Sequence, residues 1–126
     1  MKIEHVAIDV PDAEAFKDWW CANLGLRRSP ANPGFLVDDS GESALEIYRT
    51  GETPAAPDYP AMHPMTFHVA FLADDVDATV ARLEAAGAKC VELVHKPGFD
   101  MAILRDPWGV CIQLCHRAST IFAPPV

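Results

Sequence analysis

The feature of this sequence that most constrains its fold is an internal repeat. Residues 3–8 read Ile-Glu-His-Val-Ala-Ile and residues 66–71 read Thr-Phe-His-Val-Ala-Phe, so both contain His-Val-Ala followed by an apolar residue. From the histidine to the glycine that is predicted to end the next helix there are 20 residues in the first copy and 19 in the second. Such agreement in register predicts two copies of one structural unit.

Each copy predicts a helix directly after its first strand. The helices are expected over about Asp12–Leu24 and Asp75–Ala86, because acidic residues at a helix start cap free N–H groups and suit the helix dipole. Gly25 and Gly87 supply the residues that end them. The apolar stripes at helical spacing consist of Phe16, Trp20 and Leu24, and of Val76, Val80 and Leu83.

Short strands and tight turns complete each copy. The turns are Asp38-Asp39-Ser40-Gly41 and Asp106-Pro107-Trp108-Gly109, with Asp first and Gly fourth as in type I turns. The predicted strands are Phe35–Val37 and Ala44–Tyr48, then Cys90–Val94, Met101–Leu104 and Val110–Cys115. We therefore predict an α+β fold of two tandem βαβββ modules, the first abbreviated around Arg27–Gly34. The modules are expected to form a cup-shaped, partly open mixed β-sheet barrel with the helices outside.

The length of 126 residues predicts a single domain built from both modules. Module one is expected over about residues 1–52 and module two over about 65–117. Residues 53–64 contain four prolines, which withhold backbone donors and favour an extended, unpaired linker. Residues 118–126, which include Pro124-Pro125, are expected to be a loosely attached tail.

The composition excludes several classes of function. The formal net charge is −8 and the ten Lys and Arg residues are scattered, so no basic surface for nucleic acid is predicted. No apolar run approaches the roughly 18 residues that a membrane helix needs, and no signal-peptide pattern precedes the first strand. We expect a cytoplasmic protein that binds neither nucleic acid nor a membrane.

The four cysteines form no CxxC pair and are expected to be reduced and mostly buried.

Four polar side chains are predicted to share one face of the sheets. Side chains alternate along a strand, and the apolar neighbours of these residues are assigned to the face that packs on the helix. The four residues are His5 and Glu46 in the first copy and His68 and Gln113 in the second. Burying such donors unpaired is costly, and one divalent cation satisfies them together. We interpret the four residues as metal ligands.

These features together resemble the vicinal oxygen chelate superfamily, which includes glyoxalase I, methylmalonyl-CoA epimerase, extradiol dioxygenases and bleomycin-binding proteins. The resemblance rests on the paired βαβββ units, the histidine in each first strand, the acidic or amide residue in each last strand and the Asp-Pro-x-Gly turn. It covers almost the whole chain and implies the same four ligands, His5, Glu46, His68 and Gln113. Gln113 departs from glyoxalase I-like members, which usually have Glu there. Epimerase-like members have a similar set of two His, one Gln and one Glu, but with Gln and Glu in the opposite modules.

The leading functional hypothesis is a glyoxalase-like lyase or isomerase. Two neutral imidazoles, one carboxylate and one amide oxygen leave a divalent ion with a net charge of about +1, which makes it a good Lewis acid. The cofactor is expected to be Zn, Ni, Co, Mn or Fe. It stabilises an enediolate of a small-molecule substrate while Glu46, the predicted catalytic residue, holds or moves a proton next to a carbonyl.

Two other functions stay open. An extradiol-type dioxygenase needs two histidines and one carboxylate, but such relatives carry the carboxylate at the position of Gln113. Its acid-base histidine would have to come from His63, His95 and His116, for which surface or loop roles are the simpler interpretation. A metal-free protein could instead bind an aromatic compound through Trp19, Trp20, Trp108 or Tyr48. A glutathione conjugate as substrate would need basic residues at the pocket rim, for which the candidates are Arg27, Arg28 and Arg49.

A homodimer is also expected, because each open four-stranded sheet leaves exposed edges and related proteins pair their modules. The proline-rich linker permits two arrangements. Module one of one subunit pairs with module two of the other, or each chain holds its own complete site. The sequence leaves both arrangements open.

Overall fold

The computed structural model of the chain describes residues 1–48, 51 and 55–122. The chain divides into two compact units, residues 1–58 and 59–126, so the division falls inside the proline-rich segment. Within the described residues each unit contains one α-helix and one four-stranded mixed sheet. These findings confirm the predicted α+β class and the two βαβββ modules, whereas the closure of both sheets into one cup stays a prediction.

The first unit has a short sheet in which the first strand lies at one edge. Its strand order is β1-β4-β3-β2, with β1 parallel to β4 and the other pairs antiparallel. The elements are β1 (His5–Ile8), α1 (Ala13–Leu24), β2 (Arg27–Arg28), β3 (Phe35–Val37) and β4 (Ala44–Ile47). As predicted, the second strand of this unit is a minimal one.

The second unit repeats this topology with longer strands. Its order is β5-β8-β7-β6, and again the first strand is parallel to the last. The elements are a 3₁₀ helix (Tyr59–Ala61), β5 (Val69–Leu72), α2 (Val76–Ala85), β6 (Lys89–Lys96), β7 (Phe99–Arg105) and β8 (Cys111–Arg117). The β6 and β7 strands extend beyond the predicted ranges at both ends.

Both helices begin and end as the sequence predicts. The side chains of Asp12 and Asp75 cap α1 and α2 by accepting the backbone N–H groups of the third helical residues, at 3.1 and 2.9 Å. Gly25 ends α1 in the left-handed conformation with φ 71°. The apolar faces cover the sheets and are largely buried, including the stacked rings of Phe16 and Trp20, whose centroids lie 4.6 Å apart.

The two predicted turns are also present. Gly41 N donates to Asp38 O at 3.0 Å, and Gly109 N donates to Asp106 O at 2.9 Å. The carboxylate of Asp106 also accepts the N–H groups of Trp108 and Val110, both at 2.9 Å. These bonds explain why a carboxylate that is only 4% exposed is tolerated at this turn.

The prediction of an extended, unpaired chain over residues 53–64 is wrong for its second half. The 3₁₀ helix at Tyr59–Ala61 lies there, Met62 N donates to Tyr59 O at 3.0 Å, and Tyr59 is 5% exposed. Proline fixes φ near −65°, a value that suits a 3₁₀ turn as well as an extended chain. Residues 53 and 54 lie outside the described residues, as do 123–126 with Pro124-Pro125.

All four cysteines are free, and Cys111 and Cys115 are buried whereas Cys21 and Cys90 are half-buried. The thiols are therefore free, as expected, and two of the four are buried. Burial raises the pKa values of Cys21, Cys90 and Cys111.

In the part of the chain that the structure describes, neither helix has the length and apolar character needed to cross a bilayer.

Candidate functional site

His5 and Glu46 meet on one face of the first sheet. In the parallel pair of β1 and β4, Ala7 lies opposite Glu46, and His5 is two residues before Ala7. Because side chains alternate along a strand, this register puts the imidazole and the carboxylate on the same face. His5 Nε2 lies 3.4 Å from Glu46 Oε2, and their side chains are 33% and 27% exposed. The structure therefore brings these two predicted site residues together, open to solvent.

The other ring nitrogen of His5 is engaged by a neighbour. His5 Nδ1 lies 2.9 Å from Glu4 Oε1, which is closer than the 3.4 Å between Nε2 and Glu46 Oε2, so the contacts favour Nδ1 as the nitrogen that carries the proton of a neutral ring. In the neutral ring, Nε2 is then an acceptor that faces the acceptor oxygen of Glu46. The Phe35 ring contacts the imidazole edge-on, with centroids 5.0 Å apart. Two facing acceptors are stabilised by a shared proton or by a cation, which is the chemistry of a ligand pair.

His68 and Gln113 occupy the matching positions of the second unit. Ala70 lies opposite Gln113 in the parallel pair of β5 and β8, and His68 is again two residues earlier. Its Nδ1 lies 2.9 Å from Pro64 O, a carbonyl that only accepts, so Nδ1 donates and Nε2 keeps its lone pair. Both side chains are half-buried. In each neutral ring the contacts thus favour a proton on Nδ1, through a different partner.

The amide of Gln113 is oriented by a thiol on its own strand. Cys115 Sγ donates to Gln113 Oε1 at 3.1 Å, and Cys111 and Cys115 are each 3% exposed. A carbonyl oxygen has two lone pairs, so one remains for another donor or a cation. Cys115 therefore orients the Gln113 oxygen, and Cys111 is a buried thiol of the same strand.

The donor types fit a divalent cation, since two imidazoles, one carboxylate and one amide oxygen are all established ligands. Among the residues that the structure describes, no group of three or more His, Cys, Asp or Glu side chains is placed to hold a metal. The structure pairs His5 with Glu46 and gives His68 and Gln113 the equivalent register. The complete four-residue set stays a prediction.

The other three histidines have local partners. His95 lies 2.8 Å from Asp100 and 3.2 Å from Asp77, and these carboxylates raise its pKa, Asp100 most. His63 Nδ1 accepts a backbone N–H two residues later at 3.0 Å. His116 Nδ1 lies 3.1 Å from a backbone carbonyl oxygen. These contacts match the surface and loop roles expected for them.

A cavity of about 570 Å³ adjoins Glu46 within the first unit. Its apolar wall includes Phe35, Ile47 and Tyr48, and its polar wall includes Lys17 and Arg28. Tyr48, one of the four aromatic residues predicted as candidate ligand contacts, lies in this wall. Trp20, by contrast, is 0% exposed in the core and is not available for that role.

The cations of this cavity are already matched by carboxylates. The buried Lys17 Nζ lies 2.7 Å from Glu14 Oε1, which lowers the Glu14 pKa. Arg28 pairs with Glu14 at 3.0 Å and with Asp18 at 2.7 Å. Arg28 is therefore poorly suited to attract a polyanionic substrate at the rim, and Arg49 lies outside the described residues. Sequence reasoning missed Lys17, because a lysine at a helix surface position is normally solvated.

Known proteins resemble this chain over nearly its whole length. Residues 2–114 match the model of the Glyoxalase/Bleomycin resistance protein/Dioxygenase superfamily. The uncharacterized protein YaeR of Escherichia coli strain K12 is 27% identical, with 92% of this chain and 96% of that protein covered.

Two solved structures have the same fold. A glyoxalase family protein from Bacillus cereus has a TM-score of 0.73 at 19% identity, covering 94% of this chain and 95% of its own. TnmS3, an antibiotic binding protein from a Streptomyces species, has a TM-score of 0.69 at 22% identity, covering 94% and 97%. With the repeat, the topology and the family match in agreement, the chain belongs to the Glyoxalase/Bleomycin resistance protein/Dioxygenase superfamily.

Proposed function

We propose that this protein is a divalent-metal-dependent lyase or isomerase that moves a proton next to a carbonyl group of a small molecule. The proposed ligands are His5, Glu46, His68 and Gln113. The observation that carries the proposal is the 3.4 Å approach of His5 Nε2 to Glu46 Oε2, with His5 Nδ1 already committed to Glu4. A carboxylate and an imidazole lone pair held face to face favour a cation between them.

The second unit supports the same proposal through its register. His68 and Gln113 stand at the positions that correspond to His5 and Glu46, and His68 keeps Nε2 as its acceptor nitrogen. The Gln113 oxygen is held by the Cys115 thiol and retains one lone pair. A bound divalent cation supplies Lewis-acid stabilisation of negative charge on substrate oxygens.

Glu46 has the distinct role of holding the proton. It is the only carboxylate of the proposed ligand set, and it lines the cavity of the first unit. A base of this kind must reach the substrate proton directly or through one water. The 27% exposure of its side chain leaves that access open. Gln113 lacks a group that takes up a proton and is assigned to binding alone.

Metal loading followed by a substrate screen tests this function. The protein is loaded separately with Zn, Ni, Co, Mn and Fe, and bound metal is counted by elemental analysis. Turnover is then measured on 2-oxo-aldehyde hemithioacetals, acyl-CoA thioesters and catechols. We expect about one metal ion per site in the wild-type protein, and loss of metal and activity in His5→Ala and His68→Ala. His95→Ala removes a surface histidine and is the matched control.

Failure of the wild-type protein to take up any of the five metals contradicts the proposal. Turnover of catechols with ring cleavage, in place of the two other substrate classes, assigns the dioxygenase reaction instead. Metal content and turnover are measured on the same preparations. Metal content tests the site, and the substrate that is turned over tests the reaction class.

A second candidate function is metal-free binding of a small molecule. It is favoured by the cavity of about 570 Å³ with Phe35 and Tyr48 in its wall, a volume within the range of ligand pockets. TnmS3, which has the same fold, is described as an antibiotic binding protein. Calorimetry with aromatic antibiotics in the presence of a chelator tests it. Binding that is unchanged by chelator and lost in Tyr48→Ala supports this function over the enzymatic one.

A further inference from the structure

The segment of residues 59–68 connects the start of the second unit to its candidate ligand His68. It begins with the 3₁₀ helix and ends where β5 begins, and it is folded by its own backbone bonds. Met62 N donates to Tyr59 O at 3.0 Å, and Thr66 N donates to His63 O at 2.9 Å. The last of its local contacts is the 2.9 Å bond between Pro64 O and His68 Nδ1. The conformation of the 59–68 segment therefore decides where that carbonyl points.

Arg105 at the end of β7 clamps this segment. Its Nη1 donates to Tyr59 O at 2.9 Å and to Gly109 O at 3.1 Å, and its Nη2 donates to Met62 O at 2.8 Å. Both nitrogens of one planar fork thus bind carbonyls, two of which belong to the segment. These bonds join positions more than forty residues apart in sequence.

A close backbone approach reinforces the clamp. A Cβ added to Gly109 would lie 2.6 Å from Pro60 Cγ, and Gly109 has φ +86°. The turn before β8 therefore needs glycine both for its conformation and for contact with the segment. Arg105 and Gly109 thus both contact the 3₁₀ turn at Tyr59–Ala61.

We propose that Arg105 is a positioning residue for His68. By fixing Tyr59 and Met62 it holds the Pro64 carbonyl against Nδ1, which keeps the proton on Nδ1 and the lone pair on Nε2. The inference rests on the proposed function, in which Nε2 of His68 is a ligand atom. The first unit has no need of such a clamp, because Glu4 next to His5 in sequence performs this task with its own side chain.

The tautomer of His68 tests the proposal without any metal. Nitrogen-15 NMR of the neutral imidazole distinguishes a protonated from an unprotonated ring nitrogen. In the wild-type protein we expect His68 with the proton on Nδ1. In Arg105→Gln we expect a mixture of tautomers and a 10- to 100-fold weaker Co²⁺ affinity, which is the usual effect of removing a residue that orients a ligand. His5 keeps its tautomer in both proteins.

Arg117→Ala is the matched control, since it removes an arginine that lies over the Phe99 ring at 4.6 Å, in the same sheet. It is expected to change neither the His68 tautomer nor the Co²⁺ affinity. Arg105→Lys retains a donor but lacks the fork, and is expected to fall between the wild type and Arg105→Gln. This variant also serves if Arg105→Gln does not fold.

Two results overturn the proposal. One is an unchanged His68 tautomer in a folded Arg105→Gln or Arg105→Lys protein. The other is amide exchange that rises equally across β7 and β8 and the 59–68 segment, because that pattern assigns Arg105 a general structural role. If the wild-type protein shows the expected tautomer but binds no metal, the proposed function fails while the positioning of His68 by Arg105 stands.

Discussion

The two units of this chain hold equivalent histidines by different means. In the first unit the partner of Nδ1 is the side chain of Glu4, which is 87% exposed. In the second unit the partner is the backbone carbonyl of Pro64, inside a segment held by two bonds from Arg105. The same 2.9 Å contact at Nδ1 is therefore made by an exposed side chain in one unit and by the backbone of a folded segment in the other.

The two sheets also differ in the lengths of their strands. β2 and β3 have two and three residues, whereas β6 and β7 have eight and seven. The strands that carry the candidate ligands, however, keep one register in both units, with the histidine two residues before the alanine opposite Glu46 or Gln113. The strands β2 and β3 thus differ in length from β6 and β7, whereas the pair of parallel strands that carries Glu46 or Gln113 keeps the same arrangement in both units.

The largest expected effect concerns whether the two units serve one site. His5→Ala and His68→Ala are each expected to be inactive, because each removes a proposed ligand. If sites are shared between subunits, mixing the two inactive proteins restores activity in some dimers, and we expect this recovery by resemblance to glyoxalase I. Activity is measured over a series of mixing ratios after refolding together. Inactivity at every ratio assigns a self-contained site to each chain.

The next effect compares the oxygen donors of the two units. Glu46→Gln is expected to lower turnover by about 100- to 10,000-fold, the range for loss of an acid-base group. Gln113→Ala should lower turnover by a smaller factor, since it removes only a neutral ligand. Turnover is measured after metal occupancy has been verified in both variants. Equal losses would mean that both side chains are ligands without a role in proton transfer.

A smaller effect is expected at the helix caps, where the two units are alike. Asp12→Ala and Asp75→Ala should each lower the free energy of unfolding by about 1 kcal/mol, since each deletes one bond to the third helical N–H. Urea unfolding followed by circular dichroism measures both. Asp74→Ala is the control for loss of an acidic residue beside a cap and is expected to change stability by less than about 0.5 kcal/mol. Unequal cap losses would show that one helix depends more on its sheet.

The smallest effect concerns His95, which lies on the eight-residue β6 strand, whose counterpart in the first unit, β2, has two residues. Asp100 and Asp77 raise its pKa in the folded protein. The folded state therefore binds this proton more tightly than the unfolded state, so the stabilisation is complete below the unfolded pKa and is lost as pH rises through the folded one. A proton NMR titration should show the raised midpoint, and Asp100→Asn should lower it. An unchanged midpoint in Asp100→Asn would remove the ion pair as the cause.

Much of the fold could be predicted because its signals are local. Capping aspartates, terminal glycines and stripes at helical spacing predicted both helices to within about a residue at most ends. The length of the β6–β7 hairpin was underestimated, since its ends carry His95, Lys96 and Asp100, which give no apolar alternation. Pairing with the neighbouring strand extends them regardless of that pattern.

Some parts of the candidate site could be predicted from the sequence and others could not. The shared face of His5 and Glu46 was predicted from period-two alternation, and the register of β1 and β4 agrees with it. Gln113 has the matching position in β8, whereas His68 lies one residue before β5. Glu4 could have been identified as the partner of His5 from its adjacency. Pro64 and Arg105 could not, because a backbone carbonyl leaves no trace in sequence and the arginine lies far along the chain. The proline count predicted an extended linker and concealed the 3₁₀ turn.

The parallel pairing of first and last strands also has a consequence for the order of synthesis. β1 leaves the ribosome first, but its partner β4 follows only after α1, β2 and β3. Pairings between distant parts of a chain form late, because the entropy of closing the intervening loop must be overcome first. A nascent chain that ends before Ala44 therefore carries His5 with no strand to pair with β1. Completion of each unit precedes assembly of its donor pair.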